Sequence, residues 1–527
     1  MFQYALYIAG IKANKSLVLI NSRDETCFKG KGGKEMKKSA RYLCLAALTG
    51  AAAVCLTGCG KVKKDYDVYF FNQKSEIAES LEELTDKYEE ETGKKVKVFT
   101  VGTTEGSETM RSELKSKEYP TLFSSNAIAF EEWKSAGYAT PVEDIQNEEL
   151  KSLYESVPEA LRLQFEGEGN YGIPYNMEGY GLIVDEQMLK EVMGTEDLEA
   201  FTEDYKAADY EEFQNMVIAL DAFIKDGTAQ TFTLNGTEYT TADEKTELTE
   251  KLNGVFAVAG AEKWTYGNHF GNYPISTVYE NVYDVRESDP DKADQLKTPL
   301  VKSLQELDFL TRYTAGPDGA IERGPQYINS TVNGYDQAVQ TFAESKAIFI
   351  KNGNWIYTNV AKVDQNVADR LTMLPMKVNF SDEDISVEGL DVEKMNRSIP
   401  EFVSQYYIIN AKATDEEKKE AEDFLLWLNT SETGQDYIVN KFAFVPFNAD
   451  ESTVLDNPLS NALITYKVAD DLLANPFDAV PSAWGTECYG KYIMEELFTN
   501  PDEWSGEELE KIADECIDYW KSGMEEW

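Results

Sequence analysis

His269 is the single histidine in a chain of 527 residues, and that count restricts the available chemistry more than any motif present. It removes most zinc sites, and any Ser-His-Asp or Cys-His nucleophile, because both need imidazoles in number or in partnership. The phosphate-cradling pattern Gly-x4-Gly-Lys-Ser/Thr does not occur, so any ATP hydrolysis would belong to another subunit. Carboxylates are abundant, with 95 Asp+Glu. Pairs at the ~5–10 Å spacing of glycosidases therefore arise by chance, and an extracellular glycoside hydrolase is neither supported nor excluded. No metal or cofactor is called for. What remains is binding chemistry. Trp264, Tyr266, His269 and Tyr273 crowd one loop together with Gly267 and Gly271. Such aromatic density outside a regular element suits a stacking wall for a ligand, or a clamp that holds the loop down.

Six cysteines carry little information. Cys27, Cys44 and Cys55 fall before Cys59, in segments expected to be absent from the working protein. Cys488 and Cys516 remain, and two thiols make no disulfide framework, so pairing and freedom are both open. Cys59 itself ends the stretch Met36–Cys59, MKKSARYLCLAALTGAAAVCLTGC. Three cations, then an uncharged run, then small residues is the layout of a secretory signal. The run is shorter than the ~20 residues of a spanning helix. Leu56-Thr57-Gly58-Cys59 resembles a bacterial lipobox, which implies cleavage before Cys59 and lipid on its sulfur and amino group. Residues 1–35 then read as an upstream-extended start, 36–58 as a lipoprotein signal peptide and 59–65 as a lipid-anchored tether.

Lys+Arg number only 50, giving a formal charge of −45, and the segment before Cys59 is itself basic, so the remainder is more acidic still. That excess argues against nucleic acid and anionic membrane surfaces as partners. It also disfavours a polyanionic ligand, although a local basic pocket could overrule the global charge. The length suits two to four domains.

The elements alternate. Asp67–Phe71 reads as a buried strand. Ile77, Leu81, Leu84 and Tyr88 recur at helical spacing up to Gly93, and Lys95–Val101 alternates as a second strand. A helix near 107–117, a strand at 121–124 and a helix at about 129–136 follow, ending on Gly137. This β-α-β-α-β-α order predicts a mainly parallel sheet with helices on its faces. Tyr171–Tyr175 and Gly181–Val184 are two extended pieces without a helix between them. Residues 186–350 are largely helical, with a hairpin signal at Thr231–Tyr239 turning on Asn235-Gly236. Thr414 and Glu417 form a capping box for a helix through Trp427, and Ser505 and Glu508 repeat it for a C-terminal helix.

Five stretches in order resemble the carbohydrate-binding family of extracellular solute-binding proteins of ABC importers, the maltose-binding-protein-like family. They are Val68–Phe71 with its helix and Gly93; Phe130–Gly137 with Thr140–Asp144; and Tyr171–Tyr175 with Tyr180–Asp185. The fourth is Phe342–Ile350 with Asn352-Gly-Asn-Trp355, and the fifth is Tyr406–Ile409 with Lys418–Gly434 and Val445-Pro446. The resemblance spans nearly all of 66–527. It departs at Asp185, where relatives carry Tyr-Asn, and in the insert near 227–300.

The resemblance implies an α/β protein with a two-lobe, type II periplasmic-binding-protein-like fold, hinge crossovers, and a ligand cleft between lobes. Lobe one would comprise 66–174 and 403–447 and lobe two 178–400, with the C-terminal helices of 448–527 packing mainly on lobe two. The protein would be a monomeric, non-enzymatic, lipid-anchored receptor at the extracellular face. It would capture a sugar or oligosaccharide by lobe closure and deliver it to ABC transporter permease subunits. A receptor for peptides or another polar solute is the alternative.

A sugar offers an apolar C–H face and a ring of hydroxyls, so its site needs aromatic faces and planar polar side chains. Trp355 ends a strand where α/β clefts lie. Tyr175, Asn176, Glu178 and Tyr180 sit on the first crossover. Asn72, Gln73, Glu105 (with Thr103 and Thr104) and Asn126 follow strand ends. Trp264 and His269 belong to the aromatic loop, and Trp484 corresponds to a C-terminal aromatic of the family. Each has a structural reading beside it, in hinge, cap or core. Trp133, Trp427 and Trp520 lie on helical faces and read as core.

Overall fold

The computed structural model describes residues 64–158, 161–165, 169–481 and 483–524. The expectations for residues 1–58, for Cys59 and for the side chain of Glu105 fall outside the described residues. From Asp65 onward the chain is one compact unit.

Thirteen strands form in chain order. They are β1 (Val68–Asn72), β2 (Val96–Thr100), β3 (Leu122–Ser125), β4 (Leu163–Phe165), β5 (Gly169–Tyr171), β6 (Ile173–Asp185), β7 (Thr231–Leu234) and β8 (Thr237–Thr240). The rest are β9 (Gly254–Ala257), β10 (Ala347–Gly353), β11 (Leu371–Leu374), β12 (Ile399–Ile409) and β13 (Leu472–Leu473). Nine of them make one sheet, ordered β2-β1-β3-β12-β6-β10-β9, with β11 added on β6 and β13 on β12.

The first half obeys the alternation read from the sequence. Strand β1 is buried along its whole length and pairs in parallel with β2 and β3. Between them runs the helix Ala78–Thr92, which buries Leu81, Leu84, Thr85 and Tyr88 and stops at Gly93. Gly93 adopts φ 73°, and its N–H returns to the Glu89 carbonyl, the left-handed cap that glycine accepts without a Cβ penalty. The expected helix near 107–117 forms earlier, at Thr103–Glu113.

The two extended pieces around 171–184 are joined into a single 13-residue strand, β6. Its first half, from Ile173 to Gly179, pairs antiparallel with β12. Its second half, from Tyr180 to Asp185, pairs with β10 and β11. Strand β12 behaves likewise, pairing with β3 at its far end and with β13 at its start. These two strands therefore belong to both halves of the molecule. One apolar core lies around Val68, Phe70, Leu84 and Phe424, and another around Leu182, Phe213, Leu300 and Trp520.

Local predictions resolve individually. The Thr414–Glu417 capping box is present with both reciprocal bonds. Asn235 (φ 49°) and Gly236 (φ 75°) turn the β7–β8 hairpin. Asp185, the departure from the family pattern, caps the helix Glu186–Met193 and takes a bidentate contact from Arg370, Nε at 2.9 Å and Nη2 at 2.6 Å. Trp133 and Trp520 are buried, whereas Trp427 is half-buried, with its ring edge-on to Tyr88 and its Nε1–H donated to Glu91.

Candidate functional site

The residues that could hold a ligand collect where β6 and β12 pass between the two halves. Side chains on β6 alternate. Gly179 faces the helix Pro458–Val468, where a Cβ would collide with Leu463, so Glu178 and Tyr180 face the opposite way. Glu178 accepts from Lys74 Nζ at 2.5 Å and from Asn176 Nδ2 at 2.8 Å, and Lys74 also reaches Glu76 at 2.9 Å. Burial pushes the Glu178 carboxyl up, and the Lys74 ammonium pulls it back. Lys74 extends from the loop just after β1, so this buried ion pair ties the end of a parallel strand to the crossover.

Beyond Glu178 the site is aromatic. The imidazole of His269 stacks on Tyr180, and Trp264 and Trp355 each stand 5.2 Å from it, centroid to centroid. Phe402 of β12 closes the group, 5.7 Å from His269 and 6.2 Å from Trp355, and Tyr335 lies 5.5 Å from Trp264. Trp264, His269, Trp355, Phe402 and Tyr335 all keep some accessible surface. Trp355 is aimed by its own turn: its indole folds back over Gly353, where a Cβ would sit 1.9 Å from the ring. The adjacent Asn354 fixes the turn by accepting from the Gly179 N–H at 3.1 Å and donating to Ser460 Oγ at 3.2 Å. The loop carrying His269 is a π-helical turn, Thr265–Phe270. Lys351 Nζ donates to the Thr265 carbonyl at 2.9 Å and lies 4.6 Å from the Tyr180 ring centre.

The sequence-named residues thus divide. Glu178, Trp264, His269 and Trp355 come together on Tyr180, which is fully buried and so backs the cluster instead of facing a ligand. Asn176 is second to them, donating to Glu178 while its Oδ1 accepts from the Val445 N–H. Tyr175 and Asn72 bond to each other at 3.0 Å and are buried, as part of the packing beneath the crossover. Gln73 is buried and donates to the Ser124 carbonyl at 2.6 Å, and Asn126 caps the helix Ala127–Ser135 through Ala129 N–H. Trp484 requires a correction. It is fully buried in the core, stacked on Tyr489, with its Nε1–H donated to the Cys516 carbonyl, and has no surface to offer a ligand.

Four residues of the cluster were not singled out: Lys74, Tyr335, Lys351 and Phe402. Lys351 did carry a signal, a lone cation inside the apolar strand Ala-Ile-Phe-Ile-Lys. Tyr335 and Phe402 carried none beyond being aromatic. Among the described residues no group of three or more His, Cys, Asp or Glu could hold a metal, and no helix is long and apolar enough to cross a membrane.

A sheet shared by two halves, with an aromatic and carboxylate site at the crossing strands, defines a two-lobed binding protein of the type II class. The chain belongs to the bacterial extracellular solute-binding protein family, whose model matches residues 83–462. Solved structures agree on the fold. RafE from Streptococcus pneumoniae in its apo form is 17% identical, with TM-score 0.56 over 87% of this chain and 97% of that one. A chitin oligosaccharide binding protein is 15% identical, with TM-score 0.58 over 87% and 99%. A cyclo/maltodextrin-binding protein complexed with maltotetraose is 15% identical, with TM-score 0.51 over 87% and 98%. No curated protein matches the chain in sequence.

Proposed function

We propose that this protein captures a sugar or oligosaccharide between its lobes and delivers it to an ABC transporter permease. The observation that carries the reading is the set of Trp264 and Trp355 rings around His269 beside a bonded carboxylate, Glu178, at the strands common to both halves. Indole faces suit the C–H surface of a pyranose, and planar acceptors with fixed geometry suit its hydroxyls. RafE bound to raffinose, and relatives that bind chitin oligosaccharide and maltotetraose, share the fold. Capture works as a population shift: ligand that touches both halves at once favours the closed arrangement over the open one.

The same reading places the working protein outside the cell on a lipid anchor at Cys59, acting as a monomer. Because one acyl chain holds only marginally, the two-signal lipid of a lipobox cysteine supplies a stable attachment. Calorimetry against an oligosaccharide panel tests the function. Binding of a glycan, lost on replacing Trp355, supports it; binding of a peptide with no glycan binding overturns it. Mass spectrometry of the membrane-extracted protein tests the anchor, the expected species being diacylated or triacylated at Cys59.

A further inference from the structure

Lys351 is a cation without a carboxylate. It is central in β10, on the face that looks toward Leu182 and Phe256, and it borders a largely apolar cavity of about 60 Å³. The same cavity is lined by Thr265, Tyr335 and Asn352, and Tyr335 is the ring it shares with the aromatic cluster. The Lys351 ammonium donates to one backbone carbonyl and faces one ring, and no ion pair with it exists among the described residues. Depth shows in its titration as well. Burial alone holds it well below the usual lysine range, with no carboxylate acting on it. Yet the residue keeps accessible surface. The cavity is where a ligand group could meet that surface, since Lys351 is one of its lining residues.

Next to it, His269 repeats the pattern. Its Nδ1 is buried with no hydrogen-bond partner, and so is the Oδ1 of the preceding Asn268. A buried donor or acceptor left unpaired costs about 1–3 kcal/mol, and a buried lone charge costs more. Across the site, Lys74 is already engaged by Glu76 and Glu178 and has no charge to spare. The unmatched charge of the wall formed by Lys351 and His269 is therefore that of Lys351, with the neutral imidazole of His269 beside it contributing an unpaired ring nitrogen.

We propose that this wall is a subsite for an acidic sugar, a hexuronate unit whose carboxylate pairs with Lys351 and accepts from His269 while its ring lies against Trp355 or Trp264. This rests on the sugar-binding reading above and narrows it to carboxylate-bearing glycans. An equatorial carboxylate on a pyranose supplies in one group what the wall lacks: an anion for the ammonium and a second acceptor for the imidazole. The net charge of −45 resists a polyanion at long range. Short uronate oligosaccharides with one carboxylate at this position are therefore the expected ligands.

The test compares each of several uronate oligosaccharides with the same glycan after reduction of its carboxyl groups to neutral alcohols, by calorimetry on the purified protein. The expected result is binding of at least one uronate glycan, with its reduced form weaker by roughly thirtyfold or more, the lower range for breaking a buried charge contact. Lys351→Met should abolish that preference, and Lys351→Arg should keep most of it, which separates a charge effect from a folding defect. Equal or tighter binding of the reduced glycans overturns the proposal and leaves sugar binding intact. Binding of neutral oligosaccharides alone does the same. Failure of every glycan overturns the proposal together with the reading it rests on.

Discussion

The imidazole of His269 lies on the phenol ring of Tyr180, with centroids 4.5 Å apart and planes 15° from parallel. Tyr180 is itself fixed, fully buried and donating to Asn475 Oδ1 at 3.2 Å. The pair joins the inserted loop to the crossover strand, and so connects the part of the chain hardest to read with the part easiest to read.

That contact makes the first prediction. Burial, with the Lys351 ammonium adding to it, holds His269 well below the ordinary imidazole range. Because it is the single histidine, its ring signals are unambiguous in a nitrogen-15 spectrum. The ring should stay neutral to well below the pH at which a free imidazole takes up its proton. Its folded pKa is lower than its unfolded one, so the unfolded chain binds the extra proton and stability falls as pH drops below about 6.5. A midpoint near 6.5 in the folded protein contradicts the buried stack.

Trp355→Ala removes the most accurately aimed ring of the site. Loss of a stacking anchor should weaken glycan binding by ~1–3 kcal/mol. The indole has accessible surface, so thermal stability should change less than for a core tryptophan such as Trp520, which has none. Unchanged affinity removes Trp355 from the site.

Two π-helical turns meet backbone to backbone. A Cβ on Gly267 would stand 2.0 Å from the Gly485 carbonyl oxygen, and neither backbone can retreat without moving its own turn. Gly267→Ala should therefore cost about 1–3 kcal/mol and weaken ligand binding as the His269 turn shifts. Gly506→Ala meets nothing within 4 Å and serves as the neutral control. Denaturant unfolding of both variants measures the difference.

Cys488 and Cys516 are buried, with their sulfurs 3.6 Å apart, and burial pushes the Cys516 thiol well above its usual range. Thiolate is the reactive form, so in the reduced protein neither should react with an aromatic disulfide reagent while folded. Both should react after denaturation. Rapid labelling of native protein would show that the C-terminal helix Gly506–Met524 opens easily.

Much of the scaffold was legible because its signals are local. Helical spacing of Leu81, Leu84 and Tyr88 before Gly93, the Thr414–Glu417 box and the Asn235-Gly236 turn each fix geometry within a few residues. The continuity of β6 was not, since Pro174 and Gly179 punctuate it; pairing with β12 on one flank and β10 on the other overrides them. The positions of the candidate residues follow the same rule. That Trp355 stands at a strand end was legible from the turn that precedes it. Trp484 was misplaced because a tryptophan after a proline says nothing about the helix that buries it 32 residues later. Lys74 could not be valued until its partner, 104 residues away, stood beside it. Asp185, read only as a departure from the family pattern, is a cap held by Arg370.

Strand β6 has an implication for how such a protein can be divided. Neither half contains a finished sheet: each borrows one end of Ile173–Asp185 and one end of Ile399–Ile409. A fragment ending before Ile173 would present bare strand edges, an invitation to aggregate. The halves cannot be exchanged between relatives as ready-made modules. A chimera that swaps specificity has to carry both crossing strands from one parent, or graft only side chains onto an intact ladder.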